Sequence, residues 1–111
     1  MRLADARRFA LSLPEAAEAP HFDVPSFRVN GKIFATVARD GKHLHVFVDE
    51  EETRAAVAEH PAAFEELWWG KKLSGVRVVL SRAPTPLVKE LLAESWRRRA
   101  PKRARRDFDG R

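Results

Sequence analysis

The chain has 111 residues and no cysteine, which fits one domain and excludes disulfides, thiolate zinc sites and a cysteine nucleophile. Its net charge of +5 is unevenly placed: residues 1–96 hold 13 Lys/Arg against 14 Asp/Glu, whereas residues 97–111 hold 8 Lys/Arg against 2 Asp. A uniformly basic face therefore does not follow from the high isoelectric point, and any nucleic-acid-binding surface must be local.

Leu3, Ala6, Phe9, Ala10 and Leu13 recur at helical spacing and predict a first amphipathic helix ended by Pro14. Residues 15–25 read as a loop or an irregular strand entry, because Pro20 and Pro25 push their neighbours towards extended backbone. Asn30-Gly31 and Asp40-Gly41 then punctuate alternating apolar runs, the signature of two-residue hairpins, and predict strands over 26–29, 32–38 and 43–48. In that register Val29 opposes Lys32, Phe27 opposes Phe34, Phe34 opposes Phe47, and Thr36 opposes His45. One face then carries Ile33, Ala35, Val37, Leu44, Val46 and Val48. The other carries Phe27, Val29, Lys32, Phe34, Thr36, His43, His45 and Phe47, aromatic in the middle and polar or basic at the rim.

Asp49 is placed as a helix N-cap, with Glu50, Glu51 and Glu52 in the first turn. Ala56, Val57, His60, Phe64 and Leu67 extend the apolar stripe, Pro61 starts a new turn or a second helix, and Trp68-Trp69-Gly70 ends it. Val76, Val78 and Leu80 alternate with polar positions as a later strand, and Thr85 caps a final helix over about 86–99. The expected fold is α+β: an antiparallel sheet of about four to five strands, a three-stranded meander plus the later strand, packed with N-terminal, middle and C-terminal helices. The expected organisation is a single domain over 1–100 and a basic, disordered tail over 101–111. The start of the chain lacks the continuous apolar stretch of a signal peptide, and no run approaches about 18 apolar residues. No membrane is expected as a partner, and cytoplasm is the expected compartment.

The chain resembles the MmcQ/YjbR family. The resemblance is carried by Leu13-Pro14-Glu15 closing the first helix, His21, Pro25-Ser26-Phe27-Arg28-Val29 and Gly31-Lys32-Ile33-Phe34-Ala35, and by Trp96, Arg97 and Ala100-Pro101-Lys102-Arg103 near the end. It implies an α+β fold with an antiparallel sheet, similar to double-wing DNA-binding domains, in small bacterial proteins. The chain departs from longer members at 68–76, where Trp68-Trp69-Gly70-Lys71-Lys72 stands in place of a common His-Trp-Asn-type segment.

Two readings of function stay open. In the first, the chain binds DNA or another nucleic acid, weakly and in a salt-dependent way: rings on the mixed face stack bases while cations hold phosphates. Arg28, Lys32, His43 and His45 on the meander, Lys71 and Lys72 beside the tryptophans, and Arg97, Arg98, Arg99, Lys102, Arg103, Arg105 and Arg106 at the basic end would supply the contacts. Against it, Arg97–Arg99 also suit the dipole of a helix C-terminus, and one tryptophan would ordinarily be buried at a helix end. In the second reading a small ligand or protein partner sits in a pocket walled by His21, Phe22, Ser26, Phe27, Arg28 and Trp69. A covered Phe27, Phe34 and Phe47 above a concave pocket favours a ligand; an exposed convex trio favours nucleic acid or a protein partner. His43 and His45 share a face at metal-ligand spacing, but no third ligand has an obvious register with them, so no metal or other cofactor is expected. No catalytic motif is present: there is no G-x-S-x-G, no glycine-rich phosphate loop and no H-E-x-x-H, and no base is placed to activate Ser26. A non-enzymatic binding module is expected.

Overall fold

The first apolar stripe winds into α1 (Leu3–Ser12), with Ala6 and Ala10 buried on its inner side and Leu13 closing it. The structure is a computed structural model that describes residues 1–110. The chain then forms β1 (Ala17–His21), β2 (Val24–Val29), β3 (Lys32–Val37), β4 (His43–Val46), α2 (Glu50–Glu59), β5 (Phe64–Trp69), β6 (Lys72–Val79), α3 (Thr85–Arg99) and α4 (Lys102–Asp109). The strands make one six-stranded antiparallel sheet in the order β1-β2-β3-β4-β6-β5. The helices pack on one face of it, α3 across β2, β3 and β4 with α1 beside it, and α2 across β5 and β6.

Two strands exceed the sequence expectation, and each has a local cause. Residues 17–21 are the edge strand β1 because Pro20 and Pro25 face each other across the β1–β2 pair, an extended setting that proline tolerates at an edge. The predicted continuation of a helix through Phe64 and Leu67 is instead β5. His60 ends α2, and the aromatic, β-favouring run that follows pairs with β6 along its whole length. Asp49 does cap α2, accepting the Glu52 N–H at 2.8 Å. Thr85 does not cap α3: Pro84 holds that position and no side chain caps it. Of the 101–111 stretch expected to be a disordered tail, Lys102–Asp109 form the helix α4, and Arg111 lies outside the described residues. Ala104 is buried, and Phe108 lies edge-on to Trp96 at 5.2 Å between ring centroids.

The meander corrects one register. Asn30 and Gly31 both take positive φ, as a type I′ hairpin requires, and Val29 opposes Lys32 as expected. Further along, Phe27 opposes Ala35 and not Phe34, because the ladder shifts between Phe27 and Arg28 and leaves Phe34 as the extra residue of a β-bulge. A one-residue slip exchanges faces. Phe27 and Phe34 are therefore fully buried under the helices beside Ala35, while Ile33 pairs with Arg28 and lines the open face. Each phenylalanine contributes about 1.5–3 kcal/mol of transfer free energy there. From Thr36 to His45 the expected pairing holds, across a four-residue loop 39–42 in place of a two-residue turn.

Candidate functional site

The site arises because β4 is shorter than its neighbours. It pairs with β3 only from Ala35 to Val37 and with β6 only from Val76 to Val79. Past Val46 the chain leaves the sheet for α2, so the lower half of β6 continues with β5 alone. There the β5–β6 hairpin projects as a wing whose turn is Gly70-Lys71, with Gly70 at the positive φ that such a turn favours. A second bulge bends the wing. Leu67 faces Gly75 but Trp68 faces Leu73, leaving Ser74 unpaired.

Between the wing and the split end of the sheet lies an open cleft of about 1110 Å³. Its floor is Ile33, Thr36, His45 and Phe47; its wing wall is Leu67, Trp68, Trp69, Lys71, Lys72, Leu73 and Ser74. Arg98 and Arg99 close it from the end of α3, with Val48, Asp49 and Glu50 beside them and His21 at its far side. Trp68 is 48% and Trp69 79% exposed, so neither is the buried helix-end ring that the sequence suggested. Trp68 Nε1 donates to Glu66 Oε1 at 3.3 Å, which orients that ring. The cleft acids are engaged elsewhere: Asp49 caps α2, and Glu50 pairs with Arg54 at 2.9 Å.

The structure divides the thirteen basic candidates sharply. Lys71, Lys72, Arg98, Arg99 and His45 meet in the cleft. At His45 burial and then the Arg77 guanidinium hold the pKa below the ordinary value. Its Nε2 accepts from Arg77 Nη1 at 3.0 Å. His43 is turned to Asp40 at 2.7 Å. Arg28 bonds Ser26 Oγ and the Pro20 carbonyl, both at 3.1 Å, away from the cleft, and Lys32 is exposed outside it. Arg97 is committed to Asp109 at 2.6 Å and to the Phe108 ring, and Arg103 to Glu15 at 2.7 Å. Lys102, Arg105 and Arg106 line a separate shallow concavity with Arg97 and Asp109.

The predicted ligand pocket is not assembled. Of its six residues only His21 and Trp69 line the cleft. Phe27 is core, and Ser26 is buried with its hydroxyl donated to the Ala19 carbonyl at 2.7 Å. Phe22 is 89% exposed at the β1–β2 turn with φ 56°, and Arg28 is tied as described. Among the described residues no three of His, Asp and Glu gather as a metal site. Sequence reasoning missed Leu67, Leu73 and Ile33 as walls. The aromatic run flanking Gly70-Lys71 was the signal for a hairpin there.

The family model for YjbR matches residues 11–98, which span all the strands and most of α3. The chain belongs to the YjbR family. A solved structure with the same fold as this YjbR chain is that of Deinococcus radiodurans protein DR2400, whose family-model domain is DUF419. It is 24% identical, with a TM-score of 0.75 over 97% of this chain and 88% of that one. No curated protein matches the chain. No helix among the described residues is long and apolar enough to cross a membrane.

Proposed function

We propose that this YjbR chain is a non-catalytic cytoplasmic module that binds single-stranded nucleic acid, DNA in the first instance, in the cleft beneath the wing. One observation carries the reading: two solvent-exposed tryptophans and two exposed lysines on a projecting hairpin line one trough together with two arginines. Base–aromatic stacking contributes about 1–3 kcal/mol per base and tolerates any sequence, while the lysines hold the backbone. Stacking needs bases already out of a duplex, so a single strand suits the site better than a double helix. The cleft is open, and at about 1110 Å³ it exceeds the roughly 300–1,000 Å³ usual for a small-molecule pocket.

Tryptophan emission supplies the assay. Titration with a 15-nucleotide oligothymidylate at about 50 mM salt should quench it, and binding should weaken steeply towards about 200 mM. Replacing Trp68 and Trp69 by alanine should weaken binding at least about tenfold, followed by anisotropy of a labelled strand. Absence of binding at low salt, or an affinity untouched by changing both tryptophans and both wing lysines, removes the proposal.

A second reading is favoured by one specific feature. Phe27 and Phe34 are covered and the face that remains is concave, the arrangement that suits a small ligand. A length series separates the two: affinity rising from mononucleotide to 15-mer supports a strand, and affinity independent of length supports a small anionic aromatic ligand.

A further inference from the structure

Seven arginines of the chain, Arg7, Arg8, Arg39, Arg54, Arg77, Arg97 and Arg103, each lie within ion-pair distance of a carboxylate. Among the described residues no carboxylate lies within that distance of Arg98 or Arg99, and both are held in place. Arg98 Nη1 donates to the Phe47 carbonyl at 3.0 Å, and Arg99 Nε donates to the Ile33 carbonyl at 2.6 Å. Both carbonyls lie just beyond the end of the β3–β4 register at Ala35 and Val46, where the Phe47 N–H still bonds the Phe34 carbonyl at 3.4 Å. Ser95 Oγ lies beside them, 2.5 Å from the Phe34 carbonyl and 2.7 Å from that of Phe47.

The choice of donor atoms decides what is left over. A guanidinium carries five N–H groups in a planar fork. Arg99, bonded through Nε, keeps its Nη1–Nη2 edge; Arg98, bonded through Nη1, keeps its Nε–Nη2 edge. Each therefore retains a two-nitrogen edge of the kind that accepts an oxyanion bidentately, and both residues line the cleft. Arg99 is half-buried, and burial followed by the neighbouring Arg98 lowers its pKa, while Arg98 itself interacts electrostatically with Glu52.

We propose that the Arg98–Arg99 pair, anchored on the Phe47 and Ile33 carbonyls at the split end of the sheet, is a preformed phosphoryl subsite of the cleft. It rests on reading the cleft as the binding site. The ligand class is a phosphate mono- or diester carrying an aromatic group, with its phosphoryl oxygens on the two forks and its ring towards Trp68 and Trp69. A nucleic-acid backbone and a free nucleotide share this chemistry, and the test separates them.

Three probes are titrated calorimetrically into the full chain: inorganic pyrophosphate, adenosine monophosphate and a 15-nucleotide oligothymidylate. The variant R98K/R99K keeps both charges and one donor for each carbonyl but loses the forks. Pyrophosphate affinity should fall roughly tenfold, with the salt dependence unchanged because no charge is lost. W68A/W69A should leave pyrophosphate binding intact while weakening the two aromatic probes. In the unaltered protein, pyrophosphate should shift the guanidinium NMR signals of Arg98 and Arg99, a readout that does not depend on any variant folding. Unshifted guanidinium signals, or pyrophosphate binding equal in R98K/R99K and the parent, overturns the subsite whatever the oligonucleotide does. Fork-dependent binding of pyrophosphate and the mononucleotide without binding of the oligonucleotide keeps the subsite and overturns the single-strand reading.

Discussion

At His45, burial and the Arg77 guanidinium 3.0 Å away both oppose protonation, burial more strongly, and Asp40 only partly offsets them. The folded pKa lies below the ordinary 6.5, so below that pH the unfolded chain binds more protons than the folded one. Stability is then lost as pH falls from 6.5 through the folded pKa and is fully present above 6.5. Melting temperature measured across this window should drop, and His45→Gln, which keeps an acceptor for Arg77, should flatten that part of the curve. Gly75 poses a steric question instead. A Cβ there would sit 2.1 Å from the Val46 carbonyl oxygen, where β6 passes closest to the departing β4. Gly75→Ala must push strands apart in the core of the sheet and should cost about 3 kcal/mol by urea denaturation. The need for glycine at 75 was invisible in the sequence, since it comes from Val46, a neighbour far back in the chain.

At the scale of elements, α4 and the wing show how local pattern is overridden. The run Lys102–Arg106 is so basic that composition alone predicts a solvated tail. The helix forms because Ala104 and Phe108 fall on one side of it and reach Trp96, whose own Nε1 donates to the Pro14 carbonyl at 3.0 Å. Arg97 lies over the Phe108 ring at 5.0 Å and bonds Asp109, joining the ends of α3 and α4. Phe108→Ala should cost about 2 kcal/mol, less than a fully buried phenylalanine, and should raise amide exchange across 102–109 selectively. Uniform exchange across the chain in that variant contradicts a docking role for this ring. The wing was misread for a different reason. Phe64 and Leu67 continue a helical spacing begun in α2, and a short apolar run does not distinguish helix from strand by period alone.

For the whole molecule, one sheet joins all the layers through a shared core that runs from Ala6 in α1 to Ala104 in α4. Trp96 lies fully buried in it, whereas Trp68 and Trp69 sit on the wing outside. In a W68F/W69F background the remaining tryptophan should therefore report global unfolding, with a urea transition that coincides with loss of far-ultraviolet circular dichroism. Separate transitions contradict a single cooperative unit. Charge is also organised at this scale. Arg97 and Arg103 at the basic end are absorbed by intramolecular ion pairs, while Arg98 and Arg99 line the cleft and Lys102, Arg105 and Arg106 line the concavity on α4.

By itself the sequence determined the helix over residues 3–12, the Asn30-Gly31 hairpin, the Asp49 cap, the strand containing Val76 and Val78, and the long helix carrying Leu91, Leu92 and Trp96. These are set by periodicity, capping and turn chemistry acting within a few residues. Only the tertiary structure decided which rings are covered and which cations are free. A single extra residue at Phe34 reverses a face without leaving a mark on the local pattern, and it puts two of the three phenylalanines that the alternation assigned to the mixed face into the core under the helices. The early end of β4 likewise has no signature of its own. It nonetheless frees the wing, opens the cleft and leaves two carbonyls for Arg98 and Arg99 to take up.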